Sequence, residues 1–357
     1  MIHHQISKKL LAVGAIAVLL GLGSCKSTTT AVTTSSAYKE TVLVSDTVGF
    51  GAAHVDPTFK NGWGISVGST GNFWLSSNHG GVTNIYSDSG ATKLAPIKIP
   101  SRNGTDAGSP TGVVFNSTSD FNGYLFIYSS EDGIISGWKG SSGATAAKLA
   151  TDASADAVYK GMAMASNGTS NNLYVTDFKE GKIVVYDKNF APVAMTFTET
   201  GTPAIPAGFS PFGIQNVGGM LYVTYAKNKP APDNGDDLSG IGNGYVSVFK
   251  PDGTFVKRFA SGGTLNSPWG ITTAPATFGD YKGAILVSNF GDGTINGYDA
   301  TSGNYIGQLK DASGNAIHID GLWGIAFTVA PNDPDALYFT AGPAGETHGL
   351  FGYLKLQ

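Results

Sequence analysis

The sequence contains a single cysteine and few charged residues. Only 13% of its 357 residues are charged, and 26 acidic against 22 basic residues give a formal net charge of −4. One thiol excludes an internal disulfide and a cysteine-rich metal centre. The lack of a basic excess argues against nucleic acid as a partner, because phosphate binding normally requires a basic surface. The shortage of charge also argues against long surface helices, whose outer face is normally charged.

Glycine and aromatic residues, in contrast, are abundant. The chain has 50 Gly, 19 Phe, 15 Tyr and 5 Trp. Glycine favours tight turns, and aromatic residues favour strands that pack into a core. The composition therefore predicts a turn-rich, all-β fold, although the length alone would also allow two domains.

The first 24 residues are typical of an export signal. Lys8 and Lys9 precede an apolar run at residues 10–22, which is short for a membrane span. The next residues, Leu-Gly-Ser-Cys at 22–25, resemble a bacterial lipobox. This resemblance predicts cleavage after residue 24 and attachment of lipid to Cys25. The alternative is an ordinary signal peptide that happens to end near a cysteine.

The residues after Cys25 are small and polar. Residues 26–37 (KSTTTAVTTSSA) show no core pattern and predict a flexible tether. We therefore expect a signal peptide at 1–24, a lipidated cysteine and tether at 25–37, and one domain at 38–357. By the sorting rules of enterobacterial lipoproteins, the residue after the lipidated cysteine directs the protein to its membrane. Lys26, rather than Asp, at this position favours a bacterial outer-membrane lipoprotein facing the periplasm or the cell exterior. Its contact with the membrane is expected through the lipid alone, and the domain is expected to be a monomer.

From residue 38 onward one pattern recurs six times. Each copy has a glycine followed by apolar residues, then an aromatic and β-branched run, and then a glycine-rich turn and a third strand. The marker glycines, 48 to 57 residues apart, are Gly64, Gly112, Gly161, Gly213, Gly270 and Gly324. A period near 50 residues in strand-rich sequence is typical of β-propeller blades.

The two ends of the repeated region complement each other. The sixth copy stops after its third strand at residues 349–356, and an unassigned strand at residues 40–44 precedes the first copy. The sequence therefore predicts a six-bladed β-propeller whose N-terminal strand joins the last blade and closes the ring.

Several segments carry a resemblance to known propellers. Residues 173–186 (LYVTDFKEGKIVVY) resemble an NHL-type repeat. The segments SPFGIQN at 210–216, LNSPWGI at 265–271, NFGDGTIN at 289–296 and IDGLWGI at 319–325 are similar to an uncharacterised family of secreted bacterial six-bladed propellers. The resemblance implies the fold but no activity, so function has to be argued from sites.

The residue before each marker glycine is expected on the face of the propeller where ligands usually bind. These residues are Trp63, Thr111, Lys160, Phe212, Trp269 and Trp323. The four aromatic rings predict either an apolar floor for a sugar, a lactone or an aromatic ligand, or plain packing between blades. A Lys160 side chain directed into the channel would hold an anion, whereas one directed outward would be solvated.

A second set of candidates stands at the ends of the second strands. Propellers resembling gluconolactonases hold a divalent cation with Glu, Asn and Asp oxygens, and this chain offers Asp177 and Asn289 for calcium. The alternative is that Asp177 caps its own turn. Residues 227–243 contain Asp-Asn-Gly-Asp-Asp at 233–237 but lack the spacing of a calcium loop, which favours a mobile acidic surface loop.

Histidines form the third set of candidates. The predicted register places His54, His79, His318 and His348 in loops of blades one and six, which are neighbours at the closure. Four imidazoles there would bind a transition metal or act as acid and base, whereas the alternative is ordinary surface histidines.

No nucleophile motif or complete metal set is evident. The sequence therefore favours a binding or scaffold module for a small molecule, a glycan or a protein. The alternative is a metal-assisted hydrolase or isomerase of a sugar lactone-like substrate, acting through Asp177 and Asn289 or through the histidines.

Overall fold

The computed structural model describes Met1 and residues 36–357, and residues 36–357 form a ring of six small sheets. Residues 2–24 of the predicted signal peptide, Cys25 and residues 26–35 of the predicted tether lie outside the described residues. Residues 36 and 37 pair with the folded body, since the Ser36 N–H donates to Asp280 Oδ2 (2.7 Å) and Ala37 forms a bridge with Lys310. No helix within the described part of the chain combines the length and apolar character needed to cross a membrane.

In blades one to five, four strands follow one another in chain order from the central channel outward. Before blade one come β1 (Tyr38–Ser45) and β2 (His54–Val55). Blade one has β3 (Gly62–Val67), β4 (Phe73–Ser77), β5 (Val82–Tyr86) and β6 (Thr92–Lys98); blade two has β7 (Pro110–Phe115), β8 (Phe126–Ser130), β9 (Ile134–Trp138) and β10 (Ala147–Thr151). Blade three has β11 (Tyr159–Ser166), β12 (Asn171–Asp177), β13 (Lys182–Tyr186) and β14 (Pro192–Val193); blade four has β15 (Phe209–Val217), β16 (Met220–Lys227), β17 (Gly244–Phe249) and β18 (Phe255–Ser261). Blade five has β19 (Pro268–Thr273), β20 (Ile285–Asn289), β21 (Ile295–Tyr298) and β22 (Tyr305–Gln308); blade six has β23 (Leu322–Ala326), β24 (Leu337–Ala341) and β25 (Leu350–Leu356), with a short helix, α1 (Pro343–Glu346), between β24 and β25.

The N-terminal strand closes the ring, as the sequence predicts. Strand β1 pairs antiparallel with β25, from Tyr38 opposite Leu356 to Ser45 opposite Leu350, and so becomes the fourth strand of blade six. The two-residue strand β2 then adds a parallel fifth strand outside β1, which the sequence did not predict. Two residues are too few to show the alternation from which a strand is recognised.

The marker glycines let the inner strands of neighbouring blades approach one another around the channel. A Cβ atom on Gly64 would lie 2.5 Å from the Thr111 carbonyl oxygen of blade two. Likewise, a Cβ on Gly324 of blade six would lie 2.5 Å from the Trp63 carbonyl oxygen of blade one. Backbone therefore packs on backbone at these positions, and only glycine leaves room for it.

Hydroxyl groups on the second strands link adjacent blades at the same level. In blade five, Ser288 Oγ accepts the Gly270 N–H (2.9 Å) and donates to the Trp323 carbonyl of blade six (2.7 Å). At the closure, Thr340 Oγ1 accepts the Gly324 N–H (3.1 Å) and donates to the Trp63 carbonyl of blade one. These bonds hold the inner strands of neighbouring blades together near the ends from which the residues at the channel mouth project.

Candidate functional site

The four aromatic residues proposed as a ligand floor lie together and close the channel as an aromatic plug. Trp63, Phe212, Trp269 and Trp323 form one buried cluster with Phe178 and Ala226. Trp323 stacks on Trp63 with ring centroids 3.6 Å apart, and Phe290 stacks on Trp323 at 3.9 Å. Most of the ring surface is therefore used in packing, which matches the alternative of core packing more closely than that of an open platform.

A cavity of about 540 Å³ lies above this aromatic plug. Of the aromatic residues in and beside the plug, Trp63, Trp323 and Phe290 contribute to its floor, whereas Phe212 and Trp269 do not reach it. The remaining lining residues are Asn78, His79, Glu131, Lys160, Lys229, Asp236, Asp237, Leu238, Ser239 and Glu346. They come from loops of blades one, two, four and six and from the inner strand of blade three. The cavity is therefore the channel mouth, and its size is ordinary for a small-molecule site.

Lys160 points into this mouth and is 3% exposed. Its Nζ donates to Glu131 Oε1 (2.5 Å), lies 3.5 Å from Asp236 Oδ1 and sits 5.1 Å from the centroid of the Trp63 ring. Burial lowers the pKa of Lys160, but the Glu131 and Asp236 carboxylates outweigh burial and raise the pKa above its ordinary value. The Lys160 side chain is therefore directed into the channel. The anion that its ammonium group binds there is the Glu131 carboxylate of the protein itself.

A chain of hydrogen bonds continues from Glu131 around the mouth. Glu131 Oε2 accepts from Asn78 Nδ2 (3.0 Å), and Asn78 Oδ1 lies 3.4 Å from Asn61 Nδ2. Asn61 Nδ2 also donates to Glu346 Oε1 (2.9 Å), while Asn61 Oδ1 accepts the Trp323 indole N–H (3.2 Å). Side chains from blades one, two, three and six are therefore joined into one polar rim above the plug.

The blade-four insertion forms one wall of the cavity. Residues 227–243 fold back as an extended pair in which the Lys229 N–H donates to the Asp236 carbonyl (2.9 Å) and the Leu238 N–H to the Lys227 carbonyl (2.7 Å). This arrangement places Asp236 and Asp237 at the mouth. The sequence identified the segment as acidic but predicted a surface loop, because its contacts with other blades cannot be read from local composition.

Asp177 and Asn289, proposed as cation ligands, do not line the cavity. Asp177 Oδ1 accepts the N–H groups of Val158 (3.1 Å) and Glu180 (3.3 Å), as in the capping alternative. Burial raises the pKa of Asp177 to about 6. Asn289 Nδ2 donates to the Thr264 carbonyl (2.8 Å) and to Thr294 Oγ1 (3.0 Å), so its amide holds its own loop.

Strands β12 and β20 end at Asp177 and Asn289, as the sequence predicts, and β4 ends at Ser77, but it is the residue after each strand end that reaches the channel. The residues that follow Ser77, Asp177 and Asn289 are Asn78, Phe178 and Phe290, and all three face the channel mouth or its plug. These three residues lie in the turns that follow the strands, where strand alternation no longer sets the direction of a side chain. The same aligned positions, read one residue further, would have indicated these side chains.

Only one of the four candidate histidines lines the cavity. His79 follows Asn78 and stands exposed in the wall. His54 lies on the edge strand β2, against Gly90 in an outer turn of blade one, and not in a top-face loop as predicted. The predicted position of His54 was wrong because the sequence did not predict strand β2.

The other two histidines are held by separate partners. His318 Nδ1 is hydrogen-bonded to the Asp292 carbonyl (2.9 Å), and His348 Nδ1 lies 3.0 Å from Asp46 Oδ2. Within residues 36–357, no three side chains of His, Cys, Asp or Glu are placed to share a metal ion. The structure therefore distributes the four candidates among different surroundings and does not gather them into one centre.

No family model matches the chain. It is 36% identical over 316 residues to the uncharacterised protein R648 of Acanthamoeba polyphaga mimivirus, covering 84% of this chain and 76% of that protein. It is 34% identical over 322 residues to the uncharacterised protein L690 of the same virus, covering 85% and 82%. These relatives are viral, so they lend no support to the bacterial origin that the sequence resemblance implied.

Solved structures share the fold at low identity. The chain is similar to a streptogramin B lyase with a TM-score of 0.54 and 13% identity, covering 90% of this chain and 98% of that one. It is also similar to a gluconolactonase from Xanthomonas campestris, with a TM-score of 0.52, 13% identity and coverages of 84% and 86%. Likeness at this level of identity establishes the six-bladed propeller and no shared chemistry.

Proposed function

The chain belongs to the family of the uncharacterised mimivirus proteins R648 and L690, and for this member we propose a binding module that holds a small polar ligand in the channel mouth. The observation that carries the proposal is the polar rim of Lys160, Glu131, Asn78 and Glu346 above an aromatic floor, enclosing about 540 Å³. Donors and acceptors fixed by neighbouring blades suit a ligand with several hydroxyl groups.

The size and the shape of the site favour a small molecule, or the end of a glycan, over a protein surface. Protein partners need an interface of roughly 800 Å² on each side, whereas this site is a concave cavity between blades. The alternative of a metal-assisted hydrolase or isomerase is less well supported. It rested on Asp177 and Asn289, whose side chains hold their own loops, and on histidines with separate partners.

The test is calorimetric titration of the full-length protein with a panel of monosaccharides and disaccharides, compared with two variants. Ser239 is exposed and lines the mouth, so Ser239→Trp is expected to fill the cavity and reduce binding at least about 10-fold, which corresponds to about 1.4 kcal/mol. Ser89→Trp places the same ring on an exposed turn of blade one and is expected to bind as the unchanged protein does. Absence of saturable binding, or equal binding by both variants, would refute the proposal.

We also propose that the propeller is displayed outside the cytoplasm of a bacterium by lipid on Cys25. The support is the sequence of residues 8–37 alone. On expression in a Gram-negative host, Cys25→Ala is expected to move the protein from the outer-membrane fraction to the soluble fraction, because a lipid chain is the only anchor proposed. Ser27→Ala, two residues away, serves as control and is expected to leave the protein with the membrane. Membrane retention of Cys25→Ala would contradict the lipid anchor.

A further inference from the structure

The wall of the cavity carries more negative than positive charge. Its charged residues are Glu131, Lys160, Lys229, Asp236, Asp237 and Glu346. Lys160 is engaged by Glu131 at 2.5 Å, and Lys229 lies 3.7 Å from Asp236. The two lysines are thus matched with two of the four carboxylates, and two negative charges are left in the wall.

Those two belong to Glu346 and Asp237. In the part of the chain that the structure describes, neither carboxylate forms an ion pair with a Lys, Arg or His side chain. Each accepts only neutral side-chain donors: Glu346 from Asn61 (2.9 Å) and Asp237 from Ser239 Oγ (3.3 Å). Burial raises the pKa of both carboxyl groups, and the nearby Lys160 ammonium offsets this effect only in part. A cation in the cavity would supply the missing compensation.

A residue of the cavity wall also carries a neutral donor without a partner. Trp63 is 2% exposed and forms part of the cavity wall, and its indole N–H has no acceptor among the described residues. A buried donor without an acceptor is costly, and the usual remedy is a partner supplied by water or ligand. An ammonium group cannot accept this hydrogen bond, but a hydroxyl or ring oxygen can.

From these observations we infer that the ligand is a polyhydroxylated molecule carrying a primary ammonium group, the chemistry of an amino sugar. The ammonium pairs with Glu346 or Asp237, while hydroxyl oxygens meet the donors of the wall. The inference rests on the proposed function, since it assigns a chemical class to the ligand of that same cavity. A metal cation fits less well, because no three suitable side chains within residues 36–357 converge on one point.

Three probes of nearly equal size and different charge test the inference. The full-length protein is titrated at pH 7 and low salt with glucosamine, glucose and gluconate. Glucosamine is expected to bind at least about 10-fold more tightly than glucose, and gluconate more weakly than either. The advantage of glucosamine over glucose is expected to shrink as salt is raised, because screening weakens charge pairing.

Variants identify the carboxylates responsible. Glu346→Gln and Asp237→Asn keep the size of each side chain and remove its charge, and each is expected to reduce the glucosamine advantage at least about 3-fold. Asp88→Asn makes the same charge change on an exposed turn of blade one and is expected to leave the advantage unchanged. If one of the two wall variants does not fold, the other variant and the salt dependence still decide the matter.

The outcomes separate the two proposals. Equal binding of glucosamine and glucose, or a glucosamine advantage that survives both wall variants, overturns the ammonium inference and leaves the binding module standing. Failure of all three sugars to bind overturns both.

Discussion

Deleting residues 38–48 is expected to abolish the single cooperative unfolding transition of the propeller. The deletion removes β1, whose backbone pairs with β25 along its length. It also removes the buried side chains of Tyr38 and Val44, which belong to two different hydrophobic clusters, one between blades five and six and one between blades six and one. Without β1, the third strand of blade six becomes an unpaired edge, and the ring loses the strand pairing that joins its two chain ends.

Point variants provide a graded version of the same experiment. Val44 is fully buried, so Val44→Ala is expected to destabilise the protein by about 2 kcal/mol and to lower the melting temperature by a few degrees. Lys39→Ala, on the exposed side of the same strand, is expected to cost less than about 0.5 kcal/mol. Differential scanning calorimetry measures all three changes. A deletion variant that melts as sharply and as high as the parent would show that β1 does not close the ring.

Replacing Lys160 with Met is expected to destabilise the protein by about 3 kcal/mol. The substitution keeps an unbranched side chain of similar length but removes the ammonium from beside Glu131, which then faces Asp236 and Glu346 without its cation. Breaking a buried ion pair from one side costs about 3–5 kcal/mol, and we expect the lower end because the Glu131 side chain is 27% exposed.

Two further variants decide whether the charge pair is responsible. Adding Glu131→Gln to Lys160→Met is expected to restore most of the lost stability, because the uncompensated carboxylate is gone. Lys179→Met breaks the exposed pair with Asp156 and is expected to change stability by less than about 0.5 kcal/mol. Chemical denaturation measures the free energies of unfolding. If Lys160→Met costs no more than Lys179→Met, the ion pair at the channel mouth contributes nothing to folding.

Much of the architecture was evident in the linear sequence. Six marker glycines at near-constant spacing gave six blades, and the missing fourth strand of the last copy indicated ring closure by the first strand. These features are repeated, and repetition makes a pattern visible even when single strands are short. The two-residue strand β2 is not part of the repeat and was missed.

The candidate site was predicted less completely. Trp63, Lys160 and Trp323 were found because they precede marker glycines and so occupy equivalent positions on inner strands. Glu131, Asn78 and Glu346 were not proposed as ligand-binding residues because they lie after the second strands or in the short helix α1, where strand alternation no longer sets the direction of a side chain. Asp236 and Asp237 were identified as part of an acidic insertion, but the sequence offered no means of directing them to the mouth.

The sequence by itself determined the number of blades, the strand order within each blade and the closure of the ring, because strand periodicity and glycine spacing are local properties of the chain. Only the tertiary structure decided which side chains meet above the aromatic plug. Lys160 and Glu131 are 29 residues apart in the chain, and Asn61 and Glu346 are 285 apart. Their contacts depend on the angle between blades and on the face toward which each strand end turns. The chain has few charged residues, and several of them converge on the one cavity for which we propose a ligand.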